Sequence, residues 1–248
     1  GNNMITTRFN GGSFGTQTAA IAAGGSASPG SAKTAAVESY DGTSWANASA
    51  NLNTARSAAG GAGITTAGLI FGGHSPSPTY VAITEKWNGS TWTEVADMST
   101  GRRGIFGLGI QTAALTSGGD TGTVTVTTTE SWDGTSWTDA AAMNSAREDG
   151  GSSGLSNNGI VFGGTTSPNG AKTEYYDGTT WTEVADLGTA RISGGGSPAG
   201  TSSLALYAGG LPSGATTATE EFTVPSGAIS VAQEGQVWYN TTSTVLKG

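Results

Sequence analysis

An ordered set of four markers returns along this chain every 44 to 48 residues, and no other feature of the sequence constrains its fold as much. The first marker is an arginine, at Arg8, Arg56, Arg102, Arg147 and Arg191. A glycine pair then closes an apolar run at Gly24-Gly25, Gly72-Gly73, Gly118-Gly119, Gly163-Gly164 and Gly209-Gly210. Next, a glutamate stands two residues before an aromatic, in Glu38/Tyr40, Glu85/Trp87, Glu130/Trp132, Glu174/Tyr176 and Glu220/Phe222. The last marker is Asp-Gly or Asn-Gly followed by tryptophan: Asp41-Gly42 with Trp45, Asn88-Gly89 with Trp92, Asp133-Gly134 with Trp137, and Asp177-Gly178 with Trp181. A unit this short cannot bury both of its faces alone, so it must pack on copies of itself.

The intervals separate rigid segments from free ones. Arginine to glycine pair is 16 residues in four copies and 18 in the fifth, and glutamate to tryptophan is 7 in all four complete copies. Glycine pair to glutamate runs 14, 13, 12, 11 and 11, so this connection absorbs the length variation and reads as a loop. Gly68-Leu-Ile-Phe71 and Gly159-Ile-Val-Phe162 are apolar runs suited to strands buried on both faces. Val124 to Trp132 alternates like a half-exposed strand, and Asp-Gly predicts a tight type I′ hairpin between that strand and the tryptophan-bearing one. Helical periodicity is absent. Four short strands per repeat, stacked radially, predict an all-β five-bladed β-propeller of four-stranded antiparallel blades that start near each repeat arginine.

In this order and spacing the markers resemble those of the Kelch-repeat propellers, a likeness that covers roughly residues 4 to 222. Ser39-Tyr-Asp-Gly-Thr-Ser-Trp45 is also similar to the Asp-box of sialidases, one residue short, and Asp-boxes are folding turns. The propeller is expected over residues 1–222. Residues 223–248 form an extension, because the fifth copy carries its turn-and-tryptophan imitation, Glu234-Gly-Gln-Val-Trp238, 11 residues late. That extension either supplies the last outer strand or opens another module. Residues 234–248 resemble a short segment common at domain ends in bacteriophage tail-fibre and other virion structural proteins, especially of marine phages.

Composition removes several functions. Forty-two glycines and few large aliphatics lean toward disorder, but a net charge of −8 is too weak to expand 248 residues. Ten basic against 18 acidic residues cannot supply a phosphate-binding footprint, so nucleic acid is not an expected partner. No apolar run reaches the length of a membrane span. The lack of cysteine excludes thiolate sites, and His74 as the one histidine removes most Ser-His-Asp and histidine-rich zinc sets and argues against likeness to the Kelch-like copper oxidases; no cofactor is expected.

One Arg and one Glu per copy, at constant spacing, favour a blade-locking ion pair over an anion-binding ring: Arg8, Arg56, Arg102, Arg147 and Arg191 with Glu38, Glu85, Glu130, Glu174 and Glu220. Trp45, Trp92, Trp137 and Trp181 are expected to be structural, each burying about 150–250 Å², worth roughly 4–6 kcal/mol. Off-pattern acids are Asp120, Glu148, Asp149 and Glu221. Ligand contacts are placed on the variable-loop face, at His74, Tyr80, Asp120 and Asn169, where selection can act without disturbing the blades. The leading expectation is a non-enzymatic display protein on a virion surface or outside the cell, a phage tail-fibre or decoration component. Its partners would be other virion subunits, a host-surface glycan and, as a homo-oligomer, its own copies. A secreted bacterial lectin is the alternative, and a propeller glycoside hydrolase using Asp120 or Asp149 ranks last.

Overall fold

The computed structural model describes residues 1–27, 32–77, 79–165, 169–197, 201–202, 204–211, 216–223, 238–240 and 245–247. Four successive sheets each hold four antiparallel strands in chain order. The first comprises β1 (Gly12–Thr16), β2 (Ala19–Ala23), β3 (Val37–Tyr40) and β4 (Trp45–Asn47), and the second β5 (Gly60–Ile64), β6 (Ala67–Phe71), β7 (Thr84–Trp87) and β8 (Trp92–Val95). The third comprises β9 (Phe106–Ile110), β10 (Ala113–Ser117), β11 (Thr129–Trp132) and β12 (Trp137–Ala140), and the fourth β13 (Gly151–Leu155), β14 (Asn158–Phe162), β15 (Thr173–Tyr176) and β16 (Trp181–Glu183). Their inner strands β1, β5, β9 and β13 lie side by side in that order, so these sheets are blades of a β-propeller.

The fifth repeat departs from the expected four strands. It contains β17 (Leu204–Ala208) paired with β18 (Thr219–Thr223), and backbone bridges from Gly195 to Ala208 and from Ser197 to Ser153 attach its first segment to β17 and β13. The turn and tryptophan that bring each complete blade back as an outer strand are missing after Phe222. Of the late imitation, Glu234 to Val237 lie outside the described residues, and Trp238 opens β19 (Trp238–Asn240), which pairs with β20 (Val245–Lys247) as a separate hairpin.

Four apolar cores fill the wedges between successive sheets. Ile70, Trp87 and Trp92 meet Phe14 and Ile21; Leu69 and Phe71 meet Ala114 and Trp132; Leu108 and Leu115 meet Val161 and Trp181; Ile160 and Phe162 meet Ala205 and Tyr207. Trp92, Trp137 and Trp181 pack back on the preceding blade: Trp92 lies edge-on to Phe14 and Trp137 to Phe71, with centroids 6.2 and 5.0 Å apart, and Trp181 joins Phe106 and Leu108. Trp45 has no preceding blade against it among the described residues and is only half-buried.

Two local expectations change. The third strand of blade three spans only Thr129–Trp132, because the preceding carbonyls serve other donors: Thr128 accepts from Gly118 N–H and Arg102, and Thr127 accepts from Met143 N–H. The Asp-Gly turns are not two-residue type I′ hairpins. Tyr40 pairs with Trp45 across a four-residue loop in which only Gly42 has positive φ (92°), and Asp41 Oδ1 accepts from the N–H groups of Thr43 and Ser44.

The Arg–Glu pairs form inside each blade. Arg8, Arg56, Arg102, Arg147 and Arg191 bind Glu38, Glu85, Glu130, Glu174 and Glu220, the second to fifth at 2.8, 2.6, 3.0 and 2.6 Å. Each guanidinium also donates to a carbonyl at or just past the end of the second strand and to the one just before the third, as Arg56 does to Ile70 and Ile83. The carboxylates accept backbone N–H from the link arriving from the blade before, as Glu85 does from Asn53 and Thr54. The pair therefore ties the second and third strands and a link at one point. In the first four copies both side chains are at most 3% exposed, but Glu220, which no outer strand among the described residues covers, is 31% exposed.

Two residues beyond each arginine the chain turns through left-handed backbone: Asn10, Ala58, Gly104, Asp149 and Ser193 have φ between 52 and 62°. Ala58 N–H donates to Asn10 C=O, Gly104 to Ala58, Asp149 to Gly104 and Ser193 to Asp149, at 2.7 or 2.8 Å. These residues ring the mouth of an axial channel, a cavity of about 380 Å³ walled mostly by glycine backbone from all five repeats. Three positions deeper stand Ser13, Gly61, Gly107, Ser152 and Gly196. A Cβ at Gly107 would lie 2.7 Å from Gly61 N, and one at Gly196 2.7 Å from Ser152 N, so small residues are what lets the inner strands converge.

Candidate functional site

The face bearing the channel mouth also carries the variable loops. Its frame is a repeated backbone bridge between the residue after each arginine and the residue after each glycine pair: Phe9–Ser26, Ser57–His74, Arg103–Asp120, Glu148–Thr165 and Ile192–Leu211. Both glycines of every pair have positive φ, from 63 to 111°, which swings the chain off the second strand and onto this bridge. The backbone repeats while the side chains do not. Chemistry has accumulated at blades two and three.

There His74 stacks on Tyr80, with centroids 5.6 Å apart and planes at 24°. The Arg103 guanidinium stands 5.9 Å from the Tyr80 centroid and donates from Nε and Nη2 to Asp120 Oδ2, both at 3.1 Å. Tyr80 Oη donates to the same oxygen at 3.4 Å, and Glu148 Oε2 lies 3.9 Å from Arg103 Nη2. Gly122 N–H donates to Asp120 Oδ1, and Gly122 packs on the Tyr80 ring, where a Cβ would intrude. Burial lowers the pKa of His74, and the Lys33 and Arg103 charges add to that shift, keeping the imidazole neutral at pH 7. Burial raises that of Glu148, which the neighbouring Asp149 charge reinforces and Arg103 opposes.

Three of the four expected ligand residues, His74, Tyr80 and Asp120, therefore converge. Asn169 does not join them: it opens a single 3-10 turn, Asn169–Ala171, in the loop of blade four. Sequence reasoning missed Arg103, which organises the cluster. Its signal lay in the column of residues that follow the repeat arginine, where Arg103 and Glu148 are charged and Phe9, Ser57 and Ile192 are not. Asp120 is held by a fork of donors and Tyr80 is flanked by His74 and Arg103, so the cluster is a preorganised hydrogen-bonding platform.

No protein-family model matches the chain, and no curated protein matches it. The fold defines its class as a β-propeller with four-stranded antiparallel blades.

Proposed function

We propose that this chain is a non-enzymatic display and attachment module of a virion surface, a phage tail-fibre or decoration component, whose propeller is a five-wedge ring of Kelch type. One observation carries the attachment reading. The unrepeated polar side chains gather on the face of the variable loops and channel mouth, while the opposite face presents the repeated Asp-Gly turns. A surface that differs from copy to copy on a frame that does not is the arrangement expected of recognition. The virion assignment leans on the likeness of residues 234–248 to phage structural segments.

Five wedges are supported by the five left-handed residues that border one channel. Closure would be made by groups left over at the two ends. The second glycine of each of the first four pairs donates to the next repeat's arginine carbonyl, ending with Gly164 to Arg191, so Gly210 N–H and Arg8 C=O are the remaining complements. The extension after residue 222 would either supply the outer strand of the fifth wedge from residues before β19 or open another module with the separate β19–β20 hairpin. Antibody labelling of purified particles tests the virion assignment: labelled fibres or capsid surfaces are expected, and recovery of the chain only in a soluble cellular fraction would overturn it.

A further inference from the structure

The ring at the channel mouth has a uniform backbone and uneven side chains. Going round it, Asp149, Ser193 and Asn10 form a polar arc, with Ser13 just below, whereas Ala58, Ala59, Gly104 and Ile105 form a bare, weakly apolar arc opposite. Asp149 is the one charged residue lining the cavity, and no donor among the described residues bonds its carboxylate. The carboxylate lies over Gly104, where a Cβ would stand 2.7 Å from Oδ1. The bare position and the acid are thus matched across neighbouring blades.

We propose that the mouth of the axial channel is a binding site for a single neutral sugar residue, such as the end of a glycan, with Asp149 accepting hydrogen bonds from its hydroxyls. A pyranose has hydroxyl edges and an apolar C–H face, and the mouth offers one arc for each. Asn10, Ser193 and Ser13 supply further donors and acceptors, and about 380 Å³ falls at the small end of ligand cavities. Burial raises the Asp149 pKa, with the Asp120 charge adding and Arg103 opposing, as befits a carboxylate short of partners until hydroxyls arrive. A calcium ion fits poorly. It takes six to eight oxygen ligands, and four of the five ring carbonyls already accept backbone hydrogen bonds. The same carboxylate disfavours acidic sugars. This inference rests on the attachment reading for its purpose and names the ligand class.

The test is a titration of the ¹⁵N-labelled full chain with neutral methyl glycosides of glucose, galactose, mannose and N-acetylglucosamine at millimolar concentrations. Saturable amide shifts are expected at Gly104, Asp149, Gly150 and Ser193 for at least one glycoside. Methyl glucuronide should bind more weakly than methyl glucoside, and Asp149→Asn should weaken binding by about tenfold or more, as loss of a charged acceptor implies. Asparagine tolerates left-handed backbone, and Ser193→Gly probes the same arc should that variant fold poorly. No shift with any neutral glycoside, an unchanged affinity in Asp149→Asn, or a response to ethanolamine alone would overturn the site. Shifts confined to His74, Tyr80 and Asp120 would also overturn it while leaving attachment standing, and particle labelling decides the virion reading separately.

Discussion

Residue by residue, the repeat is held by a charge pair whose worth depends on its cover. Arg56→Met leaves Glu85 fully buried without its cation, and a loss of about 3–5 kcal/mol is expected from urea unfolding. Arg191→Met leaves Glu220, which water already reaches, and should cost below about 2 kcal/mol. Ala58 has φ 52° with no polar side chain to compensate, so Ala58→Gly should stabilise by about 1 kcal/mol in the same measurement. Two carboxyls respond to pH in opposite senses. Burial of Glu38 opposes ionisation, but the Ile5 N–H, the Arg8 guanidinium and the Thr6 N–H outweigh it and hold the pKa below the ordinary glutamate value. Its stabilisation is present above that value and is lost as pH falls through the folded-state pKa. Asp149, raised by burial and by Asp120 against Arg103, favours the fold while protonated and loses that contribution as pH rises through its folded-state pKa. The stability of Asp149→Asn relative to the native chain should therefore increase from below the ordinary aspartate range to neutrality, as denaturant melts at several pH values will read.

At the scale of the element, each outer strand exists to place an indole on the blade before it. Trp92 is 7% exposed between β8 and Phe14, and Trp92→Ala should cost about 3–5 kcal/mol. Trp45→Ala, in the same sequence context, should cost less than half of that with the far face of the fifth sheet open and a comparable amount if that face closes on blade one, and thermal unfolding of the two variants distinguishes the outcomes. The same contrast explains what was legible. The four strands of each of the first four repeats, the buried second strand and the loop after the glycine pair follow from spacing and alternation, which are local. The short third strand of blade three was not legible, because carbonyls at Thr127 and Thr128 are claimed by Met143 and Arg102, partners 15 residues or more away. The Asp-Gly turn was misread for a related reason. A side chain capping two N–H groups competes with the two-residue hairpin, and the dipeptide alone does not say which wins.

Across the whole molecule, four wedges are sealed and the face of the fifth sheet that points away from blade four is open. Leu206 occupies the position of Ile21, Leu69, Leu115 and Ile160, which are at most 2% exposed, yet it is 39% exposed. If the ring closes, Leu206 should meet Ala20 as Leu69 meets Ala114. The chain has no cysteine, so the double variant Leu206→Cys/Ala20→Cys gives a clean test. An intramolecular crosslink is expected by mass spectrometry under a short bismaleimide, with Leu69→Cys/Ala114→Cys as the positive control, and its absence beside a reactive control would leave the fifth wedge open. The candidate site was half legible. His74, Tyr80 and Asp120 were found because they lie in loops whose length varies, whereas Arg103 sits in a segment of constant spacing and gains its role only when Tyr80 is brought over it from the previous blade. The sequence by itself determined the repeat unit, its strands and its Arg–Glu pairs, since a fixed spacing acts through short-range geometry. Tertiary structure alone decided which residues face one another around the axis, because inner strands from different repeats converge there and no periodicity along the chain says that Asp149 will lie over Gly104.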